Sequence, residues 1–187
     1  FEDKALQKIF GKNYRENSRH WLGNSAEIHT ILVLRDPFNV FASKLRWARG
    51  KLYQPTPEKI QRQSRLWLEY AREFIGNSNI LGQKSCVSFN AWFADTTYRE
   101  ELARTLGLPT WDKGVEEVAK WGPSTWGDSF DNLDYQNRAS AMKVTERWKN
   151  YSDDETYLGL FADKEIIRLS NQIFGSIPGT DVLRSSS

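Results

Sequence analysis

The sequence predicts an α/β fold in three layers, built on a mostly parallel sheet, and three observations carry that expectation. Ile31, Leu32, Val33 and Leu34 form a short continuous apolar run, the pattern of a parallel strand covered on both faces. The run passes through Arg35-Asp36-Pro37 straight into Phe38, Phe41, Ala42 and Leu45 at helical spacing. A second strand-like run, Ser85 to Phe89, follows only after a long amphipathic helical stretch. Strands separated by helices pair in parallel through a right-handed crossover.

At 187 residues the chain suits one domain, 1–187, with a substantial core. Eight Trp, ten Phe and seven Tyr supply the apolar surface for it. The 27% charged content and the lack of low-complexity tracts predict a folded, soluble chain. No apolar run approaches the ~20 residues that span a bilayer, and no signal segment is visible, so no membrane partner is expected. The single cysteine, Cys86, excludes an internal disulfide and is expected to be an inert core thiol. It is compatible with a reducing compartment, and the expected location is cytoplasmic. Without clustered Cys or paired His no metal site is expected.

The net charge of +2 is too small for a general polyanion binder, so no nucleic acid is expected. Its distribution says more. Between Arg35 and Arg72 there are nine Lys or Arg against three Asp or Glu, which leaves the rest of the chain net acidic. Such side chains can cover an amphipathic helix pair or surround an anionic ligand.

In chain order, residues 1–27 form an irregular or helical lead-in. Phe1 to Phe10 can make a short helix with Ala5, Leu6, Ile9 and Phe10 on one side, stopped at Gly11. His20 falls in the polar stretch that follows and is expected at the surface rather than in catalysis. His29 is expected as a structural neighbour of the sheet. Residues 28–50 are the central strand-turn-helix. Asp36 can cap the helix and Pro37 fits its first turn, where no backbone N–H is missed. Arg35 stands at the strand's carboxyl end, where ligands of open α/β sheets bind. A helix N-terminus there favours an anion, the Arg fork matches phosphate oxygens, and Ser43 can add one more hydrogen bond.

Residues 58–75 read as the long helix, with Thr56 as cap and Ile60, Leu66, Trp67, Tyr70, Ala71 and Phe74 on its apolar side. Gly76 to Gly82 break the chain before the second strand. Asp95 to Leu106 make a helix ended by Gly107, and Trp111 to Trp121 read as another. Gly122 to Ser129 form a turn-rich loop. Residues 163–174 make a last helix through Ile166, Ile167, Leu169 and Ile173, closed by Gly175. The tail, 176–187, is expected to fray.

Leu34-Arg35-Asp36-Pro37, with Val40 and Ser43, resembles the 3′-phosphate-binding segment of sulfotransferases that use 3′-phosphoadenosine 5′-phosphosulfate. The resemblance implies a P-loop-type three-layer fold, and Arg35 and Ser43 as ligands of the 3′-phosphate. Val87 to Asp95 is similar to the family's strand-to-helix segment. Phe89 stands there where a Tyr near the adenine is usual, and Asn90 stands in place of a Glu. Core packing is the expectation for Phe89. Ser140 to Tyr151 resembles the family's late Ser…Arg-Trp segment. Arg147 and Lys149 can approach a phosphate there, but Trp148 is expected to anchor the segment while its basic neighbours face water. The Gly122 to Ser129 loop lies where the family folds a loop over the cofactor, without the usual Arg-Lys-Gly.

The family's opening strand, phosphate loop and helix find no match. Around Gly11-Lys12, Leu6 takes the place of the first Gly of a phosphate loop and Asn13 that of its hydroxyl residue. The chain begins at Phe1 without a Met, and the expectation is a truncated domain, a fragment of a longer product. Loss of activity, or a second chain supplying the missing parts, also fits. The implied function is transfer of a sulfonate group to a hydroxyl or amine acceptor. The alternative is a non-catalytic α/β module with an anion pocket, working through a partner or as a homodimer through an exposed sheet edge. A P-loop kinase relative ranks below both, for want of a Walker lysine.

Overall fold

The computed structural model describes residues 4–11, 14, 20, 23, 28–50, 56–109 and 143–183. The expected helix at 111–121 and the loop at 122–129 lie outside them. After α1 (Leu6–Phe10), β1 (Ile31–Leu34) runs into α2 (Pro37–Gly50) and α3 (Pro57–Phe74). Then come β2 (Ser85–Ser88), α4 (Phe89–Ala94) and α5 (Thr96–Thr105). A 3₁₀ turn (Arg147–Tyr151), α6 (Glu155–Gly159), α7 (Lys164–Phe174) and a second 3₁₀ turn (Thr180–Leu183) complete the described elements.

The fold is α/β, mostly helical, with a two-strand parallel sheet among the described residues. The register pairs Ile31 with Ser85 and Leu34 with Ser88, and α2 and α3 lie between the strands in sequence. The expectation that the Ile31 to Leu34 run is covered on both faces is not met. Leu32 and Leu34 are buried, whereas Ile31 is 46% and Val33 54% exposed. Leu34 belongs to the core with α2 and α3, so the helices cover one side of β1.

The core is aromatic where α2 meets the later helices. Phe38 stacks on Phe161 at 5.0 Å, and Tyr157 meets the same ring edge-on at 5.1 Å. The Tyr157 hydroxyl donates to the Phe38 carbonyl at 3.0 Å. Burial, with the Asp36 charge in second place, pushes that phenol far above its ordinary range. On α3, Trp67, Leu68 and Ala71 face this core. Thr56 stands at the head of α3, but its side chain accepts no amide. Its hydroxyl hydrogen-bonds the Glu58 carboxylate instead and lowers the pKa there.

At the other end of α3, Gly76 takes φ 81°, which lets the Asn77 N–H reach back to the Arg72 carbonyl at 2.8 Å. Glu73, fully buried, organises the loop that follows. Lys84 Nζ lies 2.7 Å from its carboxylate, the Ser78 hydroxyl donates to it, and the Ile80 and Leu81 amides donate at 2.9 and 3.1 Å. Burial alone would raise this carboxyl. Lys84, Ser78 and the two amides outweigh it and hold the pKa at about 2. Cys86 is half-buried, its thiol donates to the Phe74 carbonyl at 3.3 Å, and burial raises its pKa.

The tail is a second correction. Residues 177–183 are docked rather than frayed, with Ile177, Thr180 and Leu183 buried, and 184–187 lie outside the described residues. Gly179 turns at φ 82°, where a Cβ would sit 3.2 Å from the Trp148 ring. The apolar residues of this polar-looking stretch are few but spaced to reach one core. His20 and His29 are both exposed, His29 just ahead of β1. No helix among the described residues is long and apolar enough to cross a membrane.

Candidate anion site at the strand ends

Both strands end in the same register and both turn at once into helices, so the β1–α2 and β2–α4 turns are neighbours. Asp36 caps α2 as its sequence position demands, accepting from the Asn39 N–H at 2.8 Å. It does more than cap. The Asn90 amide donates to Asp36 Oδ2 at 2.9 Å, and Asn90 Oδ1 accepts from the Asp36 N–H at 3.2 Å. An amide side chain can give and take at once, which an ionised Glu cannot. Asn90 thereby clasps one strand end to the other.

Asn39 extends the clasp to a third segment. Its Nδ2 donates to both Asp36 oxygens, at 3.0 and 3.1 Å, and to the Thr145 carbonyl at 3.1 Å. Its Oδ1 accepts from the Arg147 N–H at 2.8 Å. Asp36 and Asn39 are both buried, so these bonds answer polar groups that would otherwise be costly.

The clasp presents two arginines. Arg35 is half-buried at the end of β1. Its guanidinium donates to the Val144 carbonyl and lies over the Phe89 ring, 5.1 Å from the centroid, within cation–π range. The Trp67 indole fixes the same residue from behind by donating to the Arg35 carbonyl at 3.0 Å. Phe89 is therefore not a core residue, as the sequence suggested. It is half-buried, stacked with Phe93 and tilted against Trp92, and it carries the Arg35 cation.

Ser43 lies one turn beyond Asn39 on α2, on the same face. Its Oγ accepts from Arg147 Nη1 at 2.7 Å. Arg147 is buried, with 6% exposure, which corrects the expectation that the basic neighbours of Trp148 face water. Lys149 does so, paired with Glu146 at 2.9 Å. Trp148 is buried as expected. Arg35 and Ser43 thus meet the same short segment, Arg35 through Val144 and Ser43 through Arg147.

Asn39 has no place in the sequence reading, and Arg147 enters it only through the resemblance, as able to approach a phosphate but expected to face water. The i, i+4 pair Asn39 and Ser43, a polar strip beside the apolar face of α2, was the available signal for the first. No local pattern marks the burial of Arg147, because its partners Asn39 and Ser43 are on α2.

Chemically, the guanidinium of Arg35 and the hydroxyl of Ser43 are donors of the kind that suit a phosphate monoester. Among the described residues no group of three His, Cys, Asp or Glu could hold a metal ion. A groove of about 440 Å³ lies elsewhere, lined by Arg65, Leu68, Glu69, Arg72, Ser78, Ile80 and Asp163, and shares no residue with the strand-end corner. Compared with family models, curated proteins and solved structures, the chain matches none.

Proposed function

We propose that this chain is a sulfotransferase-like α/β domain, or part of one, whose strand-end corner holds the 3′-phosphate of 3′-phosphoadenosine 5′-phosphosulfate or of its product, adenosine 3′,5′-bisphosphate. The observation that carries the proposal is the meeting of Arg35 and Ser43 at residues 144–147, with Phe89 beneath the Arg35 cation. The proposed domain is a three-layer α/β fold of the P-loop type, truncated at its N-terminus, on a mostly parallel sheet.

The donor set fits a phosphate group. Arg35 offers a fork at the carboxyl end of a parallel strand, and Ser43 a hydroxyl. The cofactor, when bound, supplies the sulfonate group and an anionic leaving group. Arg35 and Ser43 act on its far end. They orient it, so that binding energy remote from the reaction positions the sulfonate toward a hydroxyl or amine acceptor. Donors aimed at the charge that develops on the sulfonate are the other requirement, and the family places these in its phosphate loop.

A second, non-catalytic reading draws on β1. Ile28, Ile31 and Val33 are exposed apolar side chains on or beside a strand with one partner among the described residues, as in a module that pairs with another chain.

Calorimetric titration with adenosine 3′,5′-bisphosphate separates the two. The expected outcome is binding by the unsubstituted chain and a loss of roughly tenfold or more in Arg35→Ala, the scale of a lost charge-assisted hydrogen bond. Absence of binding by both proteins would remove the cofactor assignment and leave the interaction module.

A further inference from the structure

A serine hydroxyl has one proton to give and lone pairs to receive. In Ser43 a lone pair is engaged, because Arg147 Nη1 donates to it at 2.7 Å. A guanidinium stays charged and has nothing to accept with. This bond therefore fixes the direction in which Ser43 accepts and leaves its proton to be given to some other acceptor. Arg147 is itself held in place. Its N–H is bound by Asn39, which is bound in turn by Thr145 and Asp36, and the neighbouring Trp148 is buried.

We infer that Arg147 is a positioning residue of the anion site: it sets Ser43 as a donor toward a phosphate oxygen. This inference rests on the reading of Arg35 and Ser43 as a phosphate site, and it assigns a role to a residue which the strand-turn-helix motif does not contain. A hydroxyl that already accepts a charge-assisted bond is also the stronger donor, since hydrogen bonds in a chain polarise one another. The ligand is that of the proposed site, a phosphate monoester on a nucleoside, near-dianionic at neutral pH and so able to accept the Ser43 proton.

The test is a double-mutant cycle. Ser43→Ala, Arg147→Lys and the double variant are titrated with adenosine 3′,5′-bisphosphate, and with adenosine 5′-phosphate as a ligand lacking the 3′-phosphate. Lysine keeps the charge but loses the fork that reaches Ser43. The expected result is a roughly tenfold loss for each single variant on the bisphosphate. The double variant should lose about the same, because the two residues act through one bond. The 5′-phosphate affinity should be unchanged throughout. Losses that multiply to about a hundredfold, an Arg147→Lys affinity equal to that of the unsubstituted chain, or equal losses on both ligands would overturn the inference. Should Arg147→Lys melt below the assay temperature, Ser43→Ala decides alone: it must weaken the bisphosphate and spare the 5′-phosphate. Arg35→Ala tells the two ideas apart. If it loses bisphosphate while the cycle is additive, the phosphate site stands and the role of Arg147 falls. If the unsubstituted chain binds neither ligand, both fall together.

Discussion

At the scale of single residues, the strand-end corner depends on Asn90 giving and receiving at the same time. Asn90→Asp keeps the shape and loses the donor, while placing a second carboxylate against buried Asp36. It should cost about 1–3 kcal/mol at pH 7, read from urea unfolding. The cost should shrink toward pH 4, where the introduced carboxyl regains a proton to give. How far a residue's role could be read in the sequence follows the distance to its partner. The Asp36 cap was legible because its acceptor–donor pair spans three residues. The Asn90 clasp spans 54 and the Arg147–Ser43 bond 104, and no local pattern encodes either. Phe89 was legible as an aromatic site but not as a cation's platform, because ring and guanidinium come from different strand ends.

At the scale of elements, both strands and the helices α1, α2, α3, α5 and α7 were legible through periodicity, and α2 also through its Asp36 cap, whereas the short α6 was not. What periodicity does not report is how many sides of an element are covered. A four-residue apolar run reads the same whether buried on one face or two, and β1 proved to have Ile31 and Val33 exposed. The α3–β2 connection carries its own prediction. Glu73 is held at about 2 in the folded chain, below the ordinary carboxylate value of 4.5. A depressed folded pKa stabilises the fold above the unfolded value, and that stability is lost as pH falls from about 4.5 toward 2. The pH-dependent part is worth about 3 kcal/mol. Acid titration followed by circular dichroism should show it, and Glu73→Gln should be less stable at pH 7 but flatter across that window. Cys86, close by, should react slowly with thiol reagents at neutral pH because burial raises its pKa.

At the scale of the whole molecule, the tail closes the core from the far end of the chain. Ending the chain after Gly175 removes Ile177, Thr180 and Leu183 from it and uncovers the Trp148 ring against which Gly179 lies. Two buried aliphatic side chains are worth about 3 kcal/mol together, at the low end of their range. A fall in melting temperature of about 10 °C is expected, measured by thermal circular dichroism. Composition hid this docking: the stretch is polar on average, and its three anchors count only when placed in space. The anion corner has a related dependence on the entire chain. It is assembled from the β1–α2 turn, the β2–α4 turn and residues 144–147, with bonds that span 54, 104 and 109 residues. Loops of that size close late, because chain entropy must be overcome before their contacts form, whereas helices need only their neighbours. A chain that has wound its helices but has not yet closed those loops has most of its secondary structure and none of its anion site. The corner comes into being late, with the other long-range bonds of the core such as that from Tyr157 to Phe38, and its presence marks the finished fold.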